Sequence, residues 1–163
     1  MAGVPVYQTP IRPEWIDYNG HLQDAYYALI VSKAIDALMD RVGLDAAYRA
    51  RTAGTLYTVE MHLHFLHELK AADSVAVEVR LLGADHKRIH AAFELLRAGQ
   101  EPVAATAEVM LLHVRQEGER ASSVPFPPEV AARLAQLATA SAGLQAFSPG
   151  SRRMELPVRR SSA

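Results

Sequence analysis

The chain has 163 residues, which fits one domain at roughly 150 residues per domain and is enough to bury a core without staples. Its 17 Lys+Arg nearly balance its 18 Asp+Glu, so there is no bulk electrostatic case for a nucleic-acid partner or an acidic surface. The absence of cysteine excludes disulfides, thiolate nucleophiles and Cys-ligated zinc or iron–sulfur centres. Half of the residues are hydrophobic, but 28 of them are alanine, so the large apolar content is ordinary. Met1–Pro13 contains Pro5, Pro10 and Pro13 and lacks the apolar core of a secretory leader. The longest nearly apolar run, Tyr26–Val31, is far short of the ~20 residues a bilayer needs. A soluble, cytoplasmic protein without a membrane partner is expected.

Val4–Arg12 reads as an extended segment, and Trp15–His21 as a loop in which Asn19-Gly20 marks a turn tolerant of positive φ. Asp24 is placed as the cap of a helix, because Tyr27, Ile30, Val31, Ala34, Ile35, Leu38, Met39 and Val42 then recur at three- and four-residue spacing. Gly43 stands where a left-handed C-terminal cap belongs. Period two takes over in Tyr57–Phe65, Val75–Leu81 and Ile89–Leu95, and Val103–Val114 supplies a fourth, aliphatic strand. Alternation of this kind predicts an antiparallel sheet with one buried and one polar face. Its turns are expected at Lys70–Asp73, Gly83–Asp85 and Ala98–Gln100. Pro125–Pro128 stops the sheet before a short helix, Glu129–Ala140. One long helix followed by a run of strands is α+β. Residues 1–140 form one domain in this reading, and 141–163 a tail with Arg152, Arg153, Arg159 and Arg160.

Aromatics number only 11, yet Trp15, Tyr18, Tyr26 and Tyr27 fall within 13 residues. The same stretch holds Asp17, Asn19, His21 and Asp24 at the entry to the long helix. Free backbone N–H groups and the positive end of the helix dipole can hold an oxyanion there. A carboxylate beside an oxyanion site suits hydrolysis of an activated acyl group, acting as nucleophile or as base on water. The same residues would also serve simply to shape a turn and cap the helix.

The motif Asp17-x-Asn19-Gly20-His21-x-x-Asp24-x-x-Tyr27, with a long helix and alternating strands after it, resembles the hot-dog-fold acyl-CoA thioesterases of the 4-hydroxybenzoyl-CoA thioesterase type. In those enzymes the motif reads roughly Asp-x-x-Gly-His-x-x-Asn-x-x-Tyr, and Asp24 departs from it where Asn is usual. The resemblance implies a long central helix wrapped by an antiparallel sheet and a CoA thioester substrate. It also implies Asp17 as catalytic carboxylate, with Asn19, His21 and the helix-start amides near the carbonyl, and no cofactor. Glu14–His21, Asp36–Leu44, Phe65–Lys70, Asp85–His90 and Met110–Val114 further resemble the thioesterases of carnitine breakdown that cleave betainyl-CoA. An edge strand left by this fold implies a homodimer or a dimer of dimers.

A trimethylammonium group cannot donate hydrogen bonds, so its recognition needs aromatic faces with a carboxylate nearby. Trp15, Tyr18 and Tyr26 are candidate walls, with Asp24 in the same segment and Tyr57 and Glu60 from the next strand; Tyr27 is assigned to the core. Glu60, His62 and His64 share a strand face, but neighbouring same-face residues stand about 7 Å apart and His67 is out of phase. A polar sheet surface therefore fits better than a metal site. Lys87 and Arg88 are candidates for the CoA phosphates. Two competing readings are a hot-dog hydratase or dehydratase and a non-catalytic protein that binds a CoA ester or betaine. In the hydratases the His lies five positions after the Asp, whereas His21 lies four after Asp17 and Asn19-Gly20 replaces their Asn-Pro. Thiol release separates hydrolysis from both.

Overall fold

Hydrophobic periodicity places the main elements. In the computed structural model, residues 3–98 and 100–142 are described, together with 144, 147 and 150. The expected tail arginines lie outside the described residues. Helix α1 (Asp24–Val42) buries Tyr27, Ile30, Val31, Ala34, Ile35, Leu38, Met39 and Val42, the same eight positions the spacing selects. Gly43 ends it at φ +89, and the Leu44 N–H donates to the Met39 carbonyl at 2.8 Å. A Cβ at that position would meet a steep backbone penalty and collide with the Arg133 guanidinium.

The strands are β1 (Val4–Pro10), β2 (Gly54–Phe65), β3 (Ser74–Ala84), β4 (Arg88–Arg97), β5 (Gln100–Glu117) and β6 (Arg120–Ser123). They make one antiparallel sheet in the order β1-β3-β4-β5-β2, with β6 on the end of β5. Val75, Val77 and Val79 of β3, Ile89, Ala91, Phe93 and Leu95 of β4 and Ala105, Ala107, Val109 and Leu111 of β5 point to the α1 side and join its stripe in one core. Fully buried side chains such as Ile30, Leu38, Phe93 and Leu111 each contribute on the order of 1.5–3 kcal/mol. Helix α3 (Pro128–Ser141) closes one end with Val130, Leu134 and Leu137.

Several expectations need correction. The N-cap of α1 is Gln23, not Asp24, and it makes no side-chain cap bond. Asp24 instead sits in the first turn, where its Oδ1 accepts the Ala25 N–H at 2.8 Å. The N-terminal segment is extended as expected, and it joins the sheet by pairing with β3 from Val4 to Pro10. The turn between β3 and β4 lies at Asp85–Lys87, because a bulge at Leu81/Gly83 carries β3 through Ala84. Helix α2 (Ala46–Thr52) and strand β6 are additions that periodicity did not predict.

The polar face of the sheet carries the Glu60–His62 pair at 2.7 Å and the His90–Glu108 pair at 2.6 Å. It is partly covered: Glu78, Arg80, Glu94 and Thr106 are buried, and Arg80 pairs with Glu94 at 3.0 Å. Beyond α3 the chain reaches this face at Phe147, whose ring centroid lies 5.9 Å from the Arg80 guanidinium carbon.

His113, on β5, locks α2 to the segment ahead of α3. Its Nε2 accepts from the Tyr48 hydroxyl at 3.0 Å, and its Nδ1–H is donated to the Val124 carbonyl at 3.0 Å, with the Pro125 carbonyl at 3.2 Å. That tautomer follows from the partners, since a carbonyl can only accept. Burial pushes His113 below the usual imidazole pKa. An unfolded His protonates near 6.5, so the unfolded chain gains protons first as pH falls. Stability in urea melts is therefore expected to decline as pH falls below about 6.5. His113→Gln should be less stable at pH 7.5 and show a shallower decline.

Candidate active site

Residues 16–22 form a tight hairpin-like turn ahead of α1. Ile16 and Leu22 pair across it, the Asp17 N–H donates to the His21 carbonyl at 2.9 Å, and the Gly20 N–H donates to the Asp17 carbonyl at 3.0 Å. Gly20 takes φ +80, whereas Asn19 keeps a negative φ. The Asp17 side chain closes the turn from inside. Its Oδ1 accepts the Asn19 N–H at 2.8 Å and the His21 N–H at 3.2 Å. The His21 N–H bond, with help from Asn19, holds the Asp17 carboxyl below the usual carboxylate range against the opposing effect of burial. Asp17 is therefore a fixed, ionised carboxylate at neutral pH.

The turn is docked onto the segment that follows β2. The Leu22 N–H donates to the Leu69 carbonyl at 2.7 Å, and His21 pairs with Lys70. A cleft of about 740 Å³ opens where the two meet, lined by Asp17, Tyr18, His21, Leu22, Gln23, Asp24 and Tyr27 on one side and Phe65, Leu66, His67 and Glu68 on the other. His21 Nε2 lies 3.1 Å from Glu68 Oε2 across it. Tyr27 and Phe65 meet edge to face, centroids 5.1 Å apart at 77°. Burial, with the Glu68 and Asp73 carboxylates adding, raises the Tyr27 phenol, which stays neutral at physiological pH.

At the helix start the Gln23 N–H donates to the Trp15 carbonyl, the Tyr26 N–H to the Gln23 carbonyl and the Ala25 N–H to Asp24 Oδ1. Among the described residues, that leaves the Asp24 N–H without a partner at the positive end of α1. A carboxylate, an oxyanion donor and a solvent-open acyl space in one cleft are what acyl-group hydrolysis needs.

The structure thus brings Asp17, Tyr18, His21 and Asp24 to one cleft, and Asn19 contributes its backbone N–H. Tyr18 stands on the rim, 97% exposed. Trp15 and Tyr26 are elsewhere: they stack on each other at 5.5 Å, and the Arg12 guanidinium lies 5.2 Å from the Trp15 ring, so that face already holds a cation of its own chain. Tyr27 both belongs to the core and forms a wall of the cleft. Tyr57 and Glu60 point to the polar face of the sheet, with the Tyr57 hydroxyl donated to Gln116 at 2.8 Å. Lys87 and Arg88 lie at the opposite end of the sheet from Phe65, because Arg88 and Tyr57 both align with Leu112 whereas Phe65 aligns with Ala105. Arg88 is paired with Asp85, and Lys87 donates to Ser123 Oγ at 3.2 Å. His62 and His67 are separated, His62 on the sheet face and His67 in the cleft. Phe65, His67 and Glu68 were not among the site residues expected. Their sequence signals are the break in alternation after Phe65 and the resemblance carried by Phe65–Lys70.

The Thioesterase-like superfamily model matches residues 11–134. The chain belongs to this superfamily. A betainyl-CoA thioesterase of Pseudomonas aeruginosa PAO1 is 49% identical over 138 residues, 85% of this chain and 86% of that protein. A fused L-carnitine dehydrogenase/betainyl-CoA thioesterase of Agrobacterium fabrum C58 is 41% identical over 120 residues, 74% of this chain but 24% of that longer protein. Among solved structures, a Pseudomonas putida KT2440 protein assigned as a thioesterase superposes with TM-score 0.84 at 42% identity, covering 97% of this chain and 99% of that one. A Staphylococcus aureus protein solved in complex with CoA gives TM-score 0.85 at 26% identity, covering 96% and 98%. The expected hot-dog fold and thioesterase family are both borne out. As a thioesterase-like protein the chain carries its motif carboxylate, Asp17, on the turn just described.

The turn has one steric requirement that can be tested. A Cβ on Gly20 would meet nothing within 4 Å, so the cost of Gly20→Ala is that of the left-handed backbone alone. Urea denaturation should show a loss of about 1–2 kcal/mol.

Proposed function

We propose that this acyl-CoA thioesterase hydrolyses betainyl-CoA to glycine betaine and CoA. The observation that carries this reading is the charge of the cleft. Its lining holds the carboxylates of Asp17, Asp24 and Glu68 and the rings of Tyr18, Tyr27 and Phe65, with no Lys or Arg among the described residues. Such a lining repels an anionic acyl group and opposes the oxyanion that forms on a neutral one. A trimethylammonium group, one methylene from the reacting carbonyl, offsets that charge where it matters, and aromatic faces suit its methyl surface. The names of the P. aeruginosa and A. fabrum relatives point the same way.

In the reaction, the thioester carbonyl is directed toward the Asp24 N–H. Asp17 takes a proton from water as the water oxygen attacks, or attacks the carbonyl itself and is later freed by water. Either route breaks the C–S bond, releases CoA thiol and leaves the acid. Neutral Asn at position 17 can keep both turn hydrogen bonds through its Oδ1, so Asp17→Asn isolates the charge. A thiol-release assay is expected to show turnover of betainyl-CoA ahead of butyryl-CoA, and a drop of roughly 10²–10⁴-fold in Asp17→Asn. Faster hydrolysis of butyryl-CoA, or full activity in Asp17→Asn, would contradict the reading.

The working unit in this proposal is a homodimer, or a dimer of such dimers, acting on CoA esters in the cytoplasm. Strand β2 is a sheet edge of 12 residues and exposes Tyr57, Val59 and Phe65. A long apolar edge of this kind calls for a partner strand. Antiparallel pairing of two β2 edges about Met61 would set Tyr57 of one copy opposite Phe65 of the other. Lys87 and Arg88 of one copy would then stand on the side of the other copy's cleft, where CoA phosphates can reach them. Light scattering should give two or four times the 17.8 kDa chain mass. Val59→Asp, which sets a charge opposite Leu63 of the other copy in this register, should shift the protein toward monomer and lower activity with it.

A further inference from the structure

Glu68 lies on the short segment between β2 and β3, and that segment is tied down on both sides. Its own carbonyl accepts from Arg97 Nη2 at 2.9 Å. Before it, the Leu66 and His67 N–H groups both donate to the Ala104 carbonyl at 2.9 Å; after it, Leu69 and Lys70 hold the Asp17 turn. The Glu68 carboxylate is thus presented from a rigid frame, which is what selective recognition requires. It reaches His21 Nε2 at 3.1 Å and remains 66% exposed.

The three carboxylates of the cleft are not equivalent. Asp17 spends one oxygen on two backbone N–H groups, and its charge is needed at the carbonyl carbon. Asp24 accepts the Ala25 N–H at the helix start, where the dipole already balances an anion. Glu68 carries a charge committed to no backbone group among the described residues, and its partner is an imidazole. A quaternary ammonium has no N–H, so it can lie against this carboxylate without displacing the His21 contact. The edge-to-face pair of Tyr27 and Phe65 lines the same cleft and offers ring surface to the methyl groups.

We propose that Glu68 is the specificity-determining anion of the cleft, selecting an acyl group that carries a quaternary ammonium over a neutral group of the same shape. This inference rests on the betainyl-CoA reading above. The neutral comparator is 3,3-dimethylbutanoyl-CoA, in which carbon replaces the ammonium nitrogen. Glu68→Gln keeps an acceptor for His21 and removes only the charge. The experiment measures kcat/KM for both thioesters, or inhibition by the comparator where its turnover is slow, in wild type, Glu68→Gln and Glu68→Asp.

The expected result is a loss of about tenfold or more on betainyl-CoA in Glu68→Gln, with the neutral comparator unchanged or improved. Glu68→Asp should recover part of the preference. A parallel loss on both thioesters would overturn the proposal and make Glu68 a positioning residue for His21. No loss on either would overturn it as well. Failure of the substrate reading is seen separately, in the wild type alone, as a preference for the neutral thioester.

Discussion

Asp17 Oδ1 accepts two backbone N–H groups of its own turn, and the rest of the site depends on that arrangement. The two bonds fix the carboxylate's direction, keep it ionised and close residues 17–21 into a rigid loop. Because the loop is rigid, Leu22 can dock on Leu69, and the docking brings the end of β2 alongside the start of α1. The cleft is therefore a seam between two distant stretches of chain, with the acid on one lip and Glu68 on the other. Gly20 is the position where the chain's conformation is most narrowly specified, since its φ of +80 is what turns His21 back to donate to Asp17.

The seam also concentrates charge that the whole chain does not show. Net charge is −1, so nothing at long range draws a cation to this protein. Within the cleft, however, three carboxylates face a space lined by aromatic rings and free of Lys and Arg among the described residues. Asp24 sharpens the contrast, since the resembled motif usually carries uncharged Asn there. Its side chain adds a carboxylate to the cleft, and its N–H stands in the first turn of α1.

Periodicity made most of the fold legible. All eight residues on the apolar stripe of α1 are buried, and the alternating runs are β2 to β5. Helix α2 was hidden because its seven residues, AAYRART, show no period; Asp45 caps it by accepting the Tyr48 N–H, and Tyr48 anchors it through His113. Strand β6 is four exposed residues, three of them polar, that exist by pairing with β5. In the site, the turn and its acid were readable from Asp17-x-Asn19-Gly20-His21, because turn chemistry is local. Of the aromatic walls, only Tyr18 was. Trp15 and Tyr26 lie off the helix stripe, as a ligand cage would, yet they stack on each other; Tyr27 lies on the stripe and still faces the cleft at its end. Phe65 and Glu68 reach the site through a pairing of residues 22 and 69 that no spacing rule announces.

A crystal structure with a non-hydrolysable betainyl-CoA analogue, its thioester sulfur replaced by methylene, tests the central claim most directly. The trimethylammonium group should lie within about 6 Å of the Tyr27 or Phe65 ring and against the Glu68 carboxylate. The carbonyl should sit beside the Asp17 carboxylate with its oxygen toward the Asp24 N–H. An acyl group bound away from this cleft, or a carbonyl beyond the reach of Asp17, would contradict it.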